Sequence, residues 1–163
     1  MRTFIIHLTA TIILGVLLHD ILVTKASGIA EFCIYLAFML LLWLTSWLYN
    51  RTYFRQFKGA VLLFFYLIKE LFVSNLKVIY YVITPGLQFR PAILELPLDI
   101  KSEAGIALLA NMITLTPGTL TLEISEDRKF LYYHTLNVPD NDLEEAKRQV
   151  KEGFEKRIMA IVQ

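Results

Sequence analysis

Two apolar runs of about 21 residues each, Thr3 to Val23 and Ile29 to Tyr49, are separated only by Thr24-Lys25-Ala26-Ser27-Gly28. At 1.5 Å per residue, a helix over either run is roughly 31 Å long, the depth of a bilayer core. The pair therefore predicts a transmembrane helical hairpin. His19 and Asp20 fall near the end of the first run, where an interface can solvate them. The second run closes on Trp43, Trp47 and Tyr49, an aromatic belt leading into Asn50 and Arg51. A cleaved signal peptide is the competing reading of the first run, with Arg2 as its basic start and Thr24 and Ala26 small enough for a cleavage site. The second apolar run, following at once, opposes cleavage, so an uncleaved hairpin is expected.

The 163 residues suffice for one ordinary domain, and 56% of them are hydrophobic. The mean hydropathy of +0.53 is high for a soluble protein. A net charge of +1 conceals an asymmetry, because the long apolar runs come first and most acids follow Pro85. There is no clustered basic face of the kind nucleic acid requires. Cys33 is the single cysteine and cannot form an internal disulfide. His7, His19 and His134 share no ligand spacing with each other or with Cys33, so neither a metal site nor another cofactor is expected.

Basic residues set the orientation. The expected loop from Asn50 to Lys58 carries Arg51, Arg55 and Lys58 and no acid, whereas the other loop carries Lys25, offset by Asp20. The positive-inside rule places the 50–58 loop and the N-terminus in the cytoplasm. Gly59 to Ile83 is apolar enough for a third span but includes Lys69, Glu70, Ser74, Asn75 and Lys77. On a helical wheel all of these except Asn75 fall within about a 140° arc. A Lys or Asp at the bilayer centre costs roughly 2.5–3.5 kcal/mol. An interfacial helix avoids that cost, with its polar stripe in water and its Phe, Leu and Ile face in lipid. That reading is preferred over a span in which Lys69 or Glu70 pairs with a neighbouring protein, and it makes the C-terminal domain cytoplasmic.

Beyond Pro85-Gly86 the pattern changes to a small α+β domain. Leu87 to Leu98 is extended, with Pro91 and Pro97 marking an edge strand. Ser102 is placed to cap a helix whose Ile106, Leu109, Ala110 and Ile113 form a buried stripe. Leu120, Leu122 and Ile124 alternate with Thr119, Thr121 and Glu123 in a half-buried strand. Ser125 to Lys129 is a hairpin turn, Phe130 to Val138 the next strand, and Asp140 the expected cap of a last helix. Leu143, Ala146, Val150, Phe154 and Ile161 would form that helix's apolar face. The order β-α-β-β-α suggests three strands with two helices on one face, an incomplete ferredoxin-like sandwich. Three segments are expected: residues 1–50 as the hairpin, 51–84 as a basic loop with an amphipathic or third membrane helix, and 85–163 as the α+β domain.

Thr116-Pro117-Gly118-Thr119 joins the first helix of this domain to its next strand. Proline then glycine at the two central positions specify a type II turn, and Pro117 keeps Thr116 out of the helical region. A phosphate cradle would need more glycine and a helix N-terminus, and this turn follows a C-terminus. A nucleophilic threonine would need a base, and only His134 is available, without supporting spacing. A docking surface made by the hydroxyls is the remaining functional reading.

ITLTPGTLTLEISEDRKFLYYHTLNV resembles the signature of the E subunit of the Mrp-type multisubunit monovalent cation/proton antiporters. Thr114, Leu115, Thr116, Pro117, Gly118, Thr119, Ser125, Asp127, Leu131, Tyr132 and His134 match that pattern. In LIKELFVSNLKVIYYVITPGLQFRP, residues Lys69-Glu70-Leu71, Asn75 and Arg90-Pro91 are similar to the family's amphipathic stretch. The resemblance covers roughly residues 55 to 160, and the region around His19-Asp20 departs from it. It implies a small accessory subunit of a Na+/H+ antiporter in a prokaryotic plasma membrane, with no known catalytic centre. Its implied partners are large channel subunits related to respiratory complex I, small membrane subunits and the lipid bilayer. Lys69, Glu70, Asn75, Thr114, Thr116, Pro117, Gly118 and Thr119 become candidate functional or interface residues. The same subunit type in an ion-pumping hydrogenase or sulfane reductase complex is an alternative. So is a standalone membrane-anchored binding module. A membrane enzyme is disfavoured, since no nucleophile, metal or carboxylate constellation stands out.

Overall fold

The computed structural model describes residues 2–22, 28–86, 89–138 and 142–162. The chain divides into two compact units, one ending at Phe57 and the other beginning at Lys58.

The first unit contains α1 (Arg2–Leu22) and α2 (Gly28–Tyr49), followed by the start of α3 (Arg51–Ile83). α1 approaches α2 closely at Gly15, where a Cβ would collide with the ring of Tyr35. His7, Thr11 and Ser46 are buried. The Thr11 hydroxyl donates to the His7 carbonyl at 2.8 Å, and the His7 imidazole bonds to the Tyr49 hydroxyl. Such pairings offset part of the cost of placing polar side chains between apolar helices, while His7 Nδ1 is buried without a hydrogen-bond partner among the described residues. Ile5, Ile6, Ile13, Val16, Leu17, Leu41, Leu44 and Leu48 are all exposed on this unit. By length and composition, α2 and α3 can each cross a membrane.

Residues 51–58, expected as a loop, instead form the first turns of α3. The Asn50 side chain caps that helix by accepting from the Tyr53 amide at 3.0 Å. Neither proline nor glycine occurs between Asn50 and Gly59, and Trp43 stacks on Phe54 with centroids 4.7 Å apart. The basic residues therefore lie on a helix, separated from α2 by a single residue.

The second unit is built on three antiparallel strands in the order β1-β3-β2: β1 (Ala92–Pro97), β2 (Thr119–Ile124) and β3 (Phe130–Thr135). Between β1 and β2 runs α4 (Glu103–Leu115), and β3 is followed by α5 (Leu143–Val150), a π-helical turn (Lys151–Glu155) and α6 (Lys156–Val162). The expected β-α-β-β-α order is present, with β1 at an edge as its prolines require. Ser102 caps α4 through the Gly105 amide. α5 is capped by Asp142, which accepts from the amides of Glu144 and Glu145 at 3.0 Å. Asp140 lies outside the described residues.

Leu94 and Leu96 of β1, Leu131 and Tyr133 of β3, Ile106, Leu109 and Ile113 of α4, and Phe154 and Ile158 share one core. Leu63 of α3 joins it, with Tyr66 and Leu67 packed alongside. Gly59 allows α3 to come close to α6, since a Cβ there would fall 2.9 Å from Ile161.

Two expectations for the core fail. Thr121, not Leu120, points to α4, and its hydroxyl donates to the Ala110 carbonyl at 2.9 Å. Leu120 lies on the opposite face, in register with His134 and Ile93, and is exposed. A bulge between Thr121 and Glu123 breaks the alternation, so Leu122 too remains exposed. Leu143 is likewise exposed. The π-helical turn adds a phase shift that a straight helical wheel omits, and it turns Glu155 and Ile158 inward.

Candidate functional site

The polar stripe of α3 forms one wall of a cleft of about 570 Å3 in the second unit. Tyr66, Lys69, Glu70, Val73, Ser74, Lys77, Val78 and Tyr81 line it at the spacing of a single helix face. Asn75 is off this face; it is exposed and its amide donates to the Leu71 carbonyl at 2.7 Å. Lys69 reaches Glu70 at 3.3 Å. Ser74 is buried, and its hydroxyl is taken up by the Glu70 carbonyl. Tyr66 packs edge-on against Phe154 with ring centroids 5.3 Å apart. Two cations approach its ring, Arg157 at 3.9 Å and Lys69 at 5.5 Å.

The Thr-Pro-Gly-Thr turn supplies another part of the lining. Thr119 N donates to the Thr116 carbonyl at 3.1 Å, and Gly118 has φ +93°, as a type II turn requires. The threonines have a common task. A helix ends with carbonyls that lack intrahelical partners. Thr116 Oγ1 donates to the Met112 carbonyl at 2.9 Å, and Thr119 Oγ1 to those of Ile113 at 2.6 Å and Thr116 at 2.9 Å. Thr114 Oγ1 donates to the Ala110 carbonyl at 3.0 Å and accepts from the Thr121 amide. The cluster is the C-terminal cap of α4. Thr114 itself is exposed and does not line the cleft.

The remaining wall comes from α5 and the π-helical turn, with Glu145, Arg148, Glu152 and Arg157 on it. Arg148 pairs with Glu145 at 2.6 Å and, with Gln149, holds that carboxyl below its usual range. Tyr133 at the floor is 1% exposed, and burial pushes its phenol up to about 12. The tyrosine is therefore a neutral donor, reaching the Ala146 carbonyl at 3.3 Å.

Of the candidate residues, Lys69, Glu70, Thr116, Pro117, Gly118 and Thr119 converge on this cleft, although more than forty positions of sequence separate the two groups. Asn75 and Thr114 stay apart from it. Among the described residues no group of three His, Cys, Asp or Glu side chains is placed to hold a metal ion.

Comparison with known proteins places this chain in a family. The family described as Na+/H+ ion antiporter subunit matches residues 7–161, nearly the whole chain. The chain belongs to that family. The Na+/H+ antiporter E subunit of Bacillus subtilis (strain 168) is 36% identical over 123 residues, covering 72% of this chain and 77% of the relative. The E subunit from Alkalihalophilus pseudofirmus is 34% identical over 109 residues, 67% of this chain and 68% of the relative. A chain in the solved structure of the membrane-bound sulfane sulfur reductase, an archaeal respiratory membrane complex, shares the fold over 99% of both chains, with a TM-score of 0.57 at 22% identity.

Sequence reasoning missed several residues of this antiporter-subunit fold. Arg157 lies far from the recognised motifs, and nothing in its local sequence marks it as a partner of Tyr66. Glu155 is a second omission. Its side chain is 1% exposed, and Oε1 accepts from the Asp99 and Ile100 amides at 2.6 and 3.2 Å. Oε2 makes no hydrogen bond but lies 3.1 Å from the Lys151 ammonium, which also reaches Asp99 at 2.6 Å. Burial works against the charge of Lys151, yet the hydrogen bond to Asp99 and the adjacent Glu155 carboxylate hold it above the usual lysine range. In a sequence of alternating Lys and Glu, a buried carboxylate has no signature of its own.

Proposed function

We propose that this antiporter subunit acts in assembly and structural support of ion-translocating partners, without a catalytic centre or an ion path of its own. The observation that carries the reading is its division of surfaces. Apolar side chains are exposed along α1, α2 and one face of α3, while the outer face of the sheet carries Ile93, Leu120 and Leu122 uncovered. Exposed apolar area on this scale suits contact with lipid and with other membrane subunits. The names of its relatives as antiporter subunits support partners of that kind. The three-stranded sheet with its helices on one face is read as an incomplete ferredoxin-like sandwich.

The same surfaces suggest how the C-terminal domain meets the membrane. α3 contacts it at Gly59, against Ile161, at Tyr66, against Phe154, and at Tyr81, whose hydroxyl accepts from Asn137 at 3.3 Å. The first and last of these contacts are roughly 33 Å apart along the helix, as deep as a bilayer core. A spanning α3 would carry a domain rich in exposed ion pairs into hydrocarbon, at a cost of several kcal/mol per charge. An α3 lying in the interface keeps that domain in water and its own Phe64, Phe65 and Phe72 in lipid. With residues 51–58 on the basic side, the domain is cytoplasmic.

Deletion of the chain from its native host tests the supporting role. Native gels of detergent-solubilised membranes should lose the assembled complex in step with cation/proton exchange in everted vesicles. A full amount of assembled complex that no longer exchanges would contradict it.

A further inference from the structure

The sheet of the second unit shares its core with the helices on one face. Leu94, Leu96, Leu131 and Tyr133 point into that core, so strand alternation turns Ile93, Glu95, Tyr132 and His134 to the other face. An antiparallel sheet with one free face normally makes that face polar. Here Ile93 is 65% exposed, Leu120 47% and Leu122 48%. Ile93 and Leu120 are both in register with His134, so this row crosses all three strands. The next row is acidic. Glu95 and Glu123 flank Tyr132 in register, and the Tyr132 hydroxyl donates to Glu95 at 2.9 Å. That bond, with the nearby charges of Glu123 and Asp127, holds the Tyr132 phenol above its ordinary range. Glu95 and Glu123 are the charged residues of the three strands, and among the described residues neither forms an ion pair. The basic residues of the adjoining hairpin are engaged elsewhere, Lys129 by Asp127 at 3.1 Å and Arg128 by Glu103.

We propose that this outer face docks a basic amphipathic helix of a neighbouring subunit, its apolar stripe on Ile93, Leu120 and Leu122 and its Lys or Arg side chains on Glu95 and Glu123. The inference rests on the accessory reading above and names the chemistry of one partner contact. Three strands about 4.8 Å apart and roughly 20 Å long present a strip that one helix, about 10–12 Å across, covers with about 13 residues. Charge decides between occupants. Anionic lipid headgroups would meet two uncompensated carboxylates. A second copy of this face would add two more carboxylates and no strand cation, and a face of roughly 300 Å2 is far below the about 800 Å2 per partner of a stable dimer. A subunit already held by membrane contacts needs little further area, because tethering makes the added contact effectively intramolecular.

The test uses the assembled complex, purified in detergent, with the photoreactive substitution Leu120→benzoylphenylalanine. Irradiation should join this chain to another subunit. Peptide mapping of the adduct should place the link in a segment with apolar residues at helical spacing and Lys or Arg beside them. Glu95→Lys with Glu123→Lys should lower the adduct yield per assembled complex about tenfold, because like charges then face each other, whereas Glu95→Asp with Glu123→Asp should keep most of it. Failure of the lysine variant alone to assemble on native gels would support the same contact. An absent adduct, an adduct only to lipid or to a second copy of this chain, or one mapped to an acidic segment would overturn the proposal. So would a yield that charge reversal leaves unchanged. Deletion of the chain, described above, reports on the accessory reading without using this face, so failure of the docking site and failure of that reading are separable.

Discussion

Replacing Glu155 should separate the role of its oxygen geometry from that of its charge. The carboxylate is fully buried, bonded to two backbone amides and 3.1 Å from Lys151. It ties the π-helical turn to the segment that leaves β1. Glu155→Ala deletes two charge-assisted hydrogen bonds and leaves two amides without an acceptor. It also removes one partner of a buried ion pair, so the cost should be about 3–5 kcal/mol. Lys151 keeps Asp99 at 2.6 Å, which limits the loss. Glu155→Gln retains an oxygen for both amides and loses only the charge, and should cost about 1–2 kcal/mol. Small domains are stable by only about 5–15 kcal/mol, so the alanine variant loses a large share. Amide exchange at Leu131 and Tyr133 in the central strand reports opening of this domain in detergent-solubilised protein. Alanine should speed exchange by roughly a hundredfold or more and glutamine by about tenfold. Equal effects of the two variants, or an alanine effect below about fivefold, would refute the reasoning.

The turn gives a second comparison. A Cβ at Gly118 would meet nothing closer than Leu136 Cβ at 3.7 Å, so Gly118→Ala should cost about 1–2 kcal/mol through its positive φ alone, measured by the same exchange. Thr119→Val should cost about 1–2 kcal/mol as well, because the Thr119 hydroxyl caps the Ile113 and Thr116 carbonyls. Lys151 contributes a pH dependence. Its folded pKa is raised, so its stabilisation is complete below the unfolded lysine pKa and is lost as pH rises through the folded value. Exchange in the central strand should therefore accelerate beyond the base-catalysed trend only in strongly alkaline buffer, and Lys151→Met should remove that excess. For topology, Glu126→Cys at the exposed hairpin tip, in a Cys33→Ser background, should resist a membrane-impermeant thiol reagent in intact cells. Labelling without permeabilisation would mean that α3 spans.

The parts legible in the sequence are those governed by local chemistry. Two apolar runs of membrane length became α1 and α2, and the Pro-Gly pair became a turn with Gly118 at positive φ. The wheel that set Asn75 apart from Lys69, Glu70, Ser74 and Lys77 matches the lining of the cleft. What escaped depends on contacts between distant segments. Charge in residues 51–58 suggested a loop, but the Asn50 cap and Trp43 stacking on Phe54 favour helix. The threonines of β2 face α4 because they bond to its terminal carbonyls, which hydrophobic alternation cannot anticipate. The π-helical turn moves Glu155 and Ile158 inward and leaves Leu143 outside.

The central claim is that this protein supports an ion path without forming one, and Glu70 is where that claim is most exposed. It is the acid of the α3 stripe, beside Lys69 at 3.3 Å and with its backbone carbonyl bonded by Ser74. Glu70→Gln removes its charge with little change of size. The decisive measurement is Na+/H+ exchange in everted vesicles, normalised to the amount of assembled complex on native gels. The account predicts that Glu70→Gln leaves most of the exchange rate per complex. An intact complex with no exchange would contradict it and place Glu70 in the path of the proton.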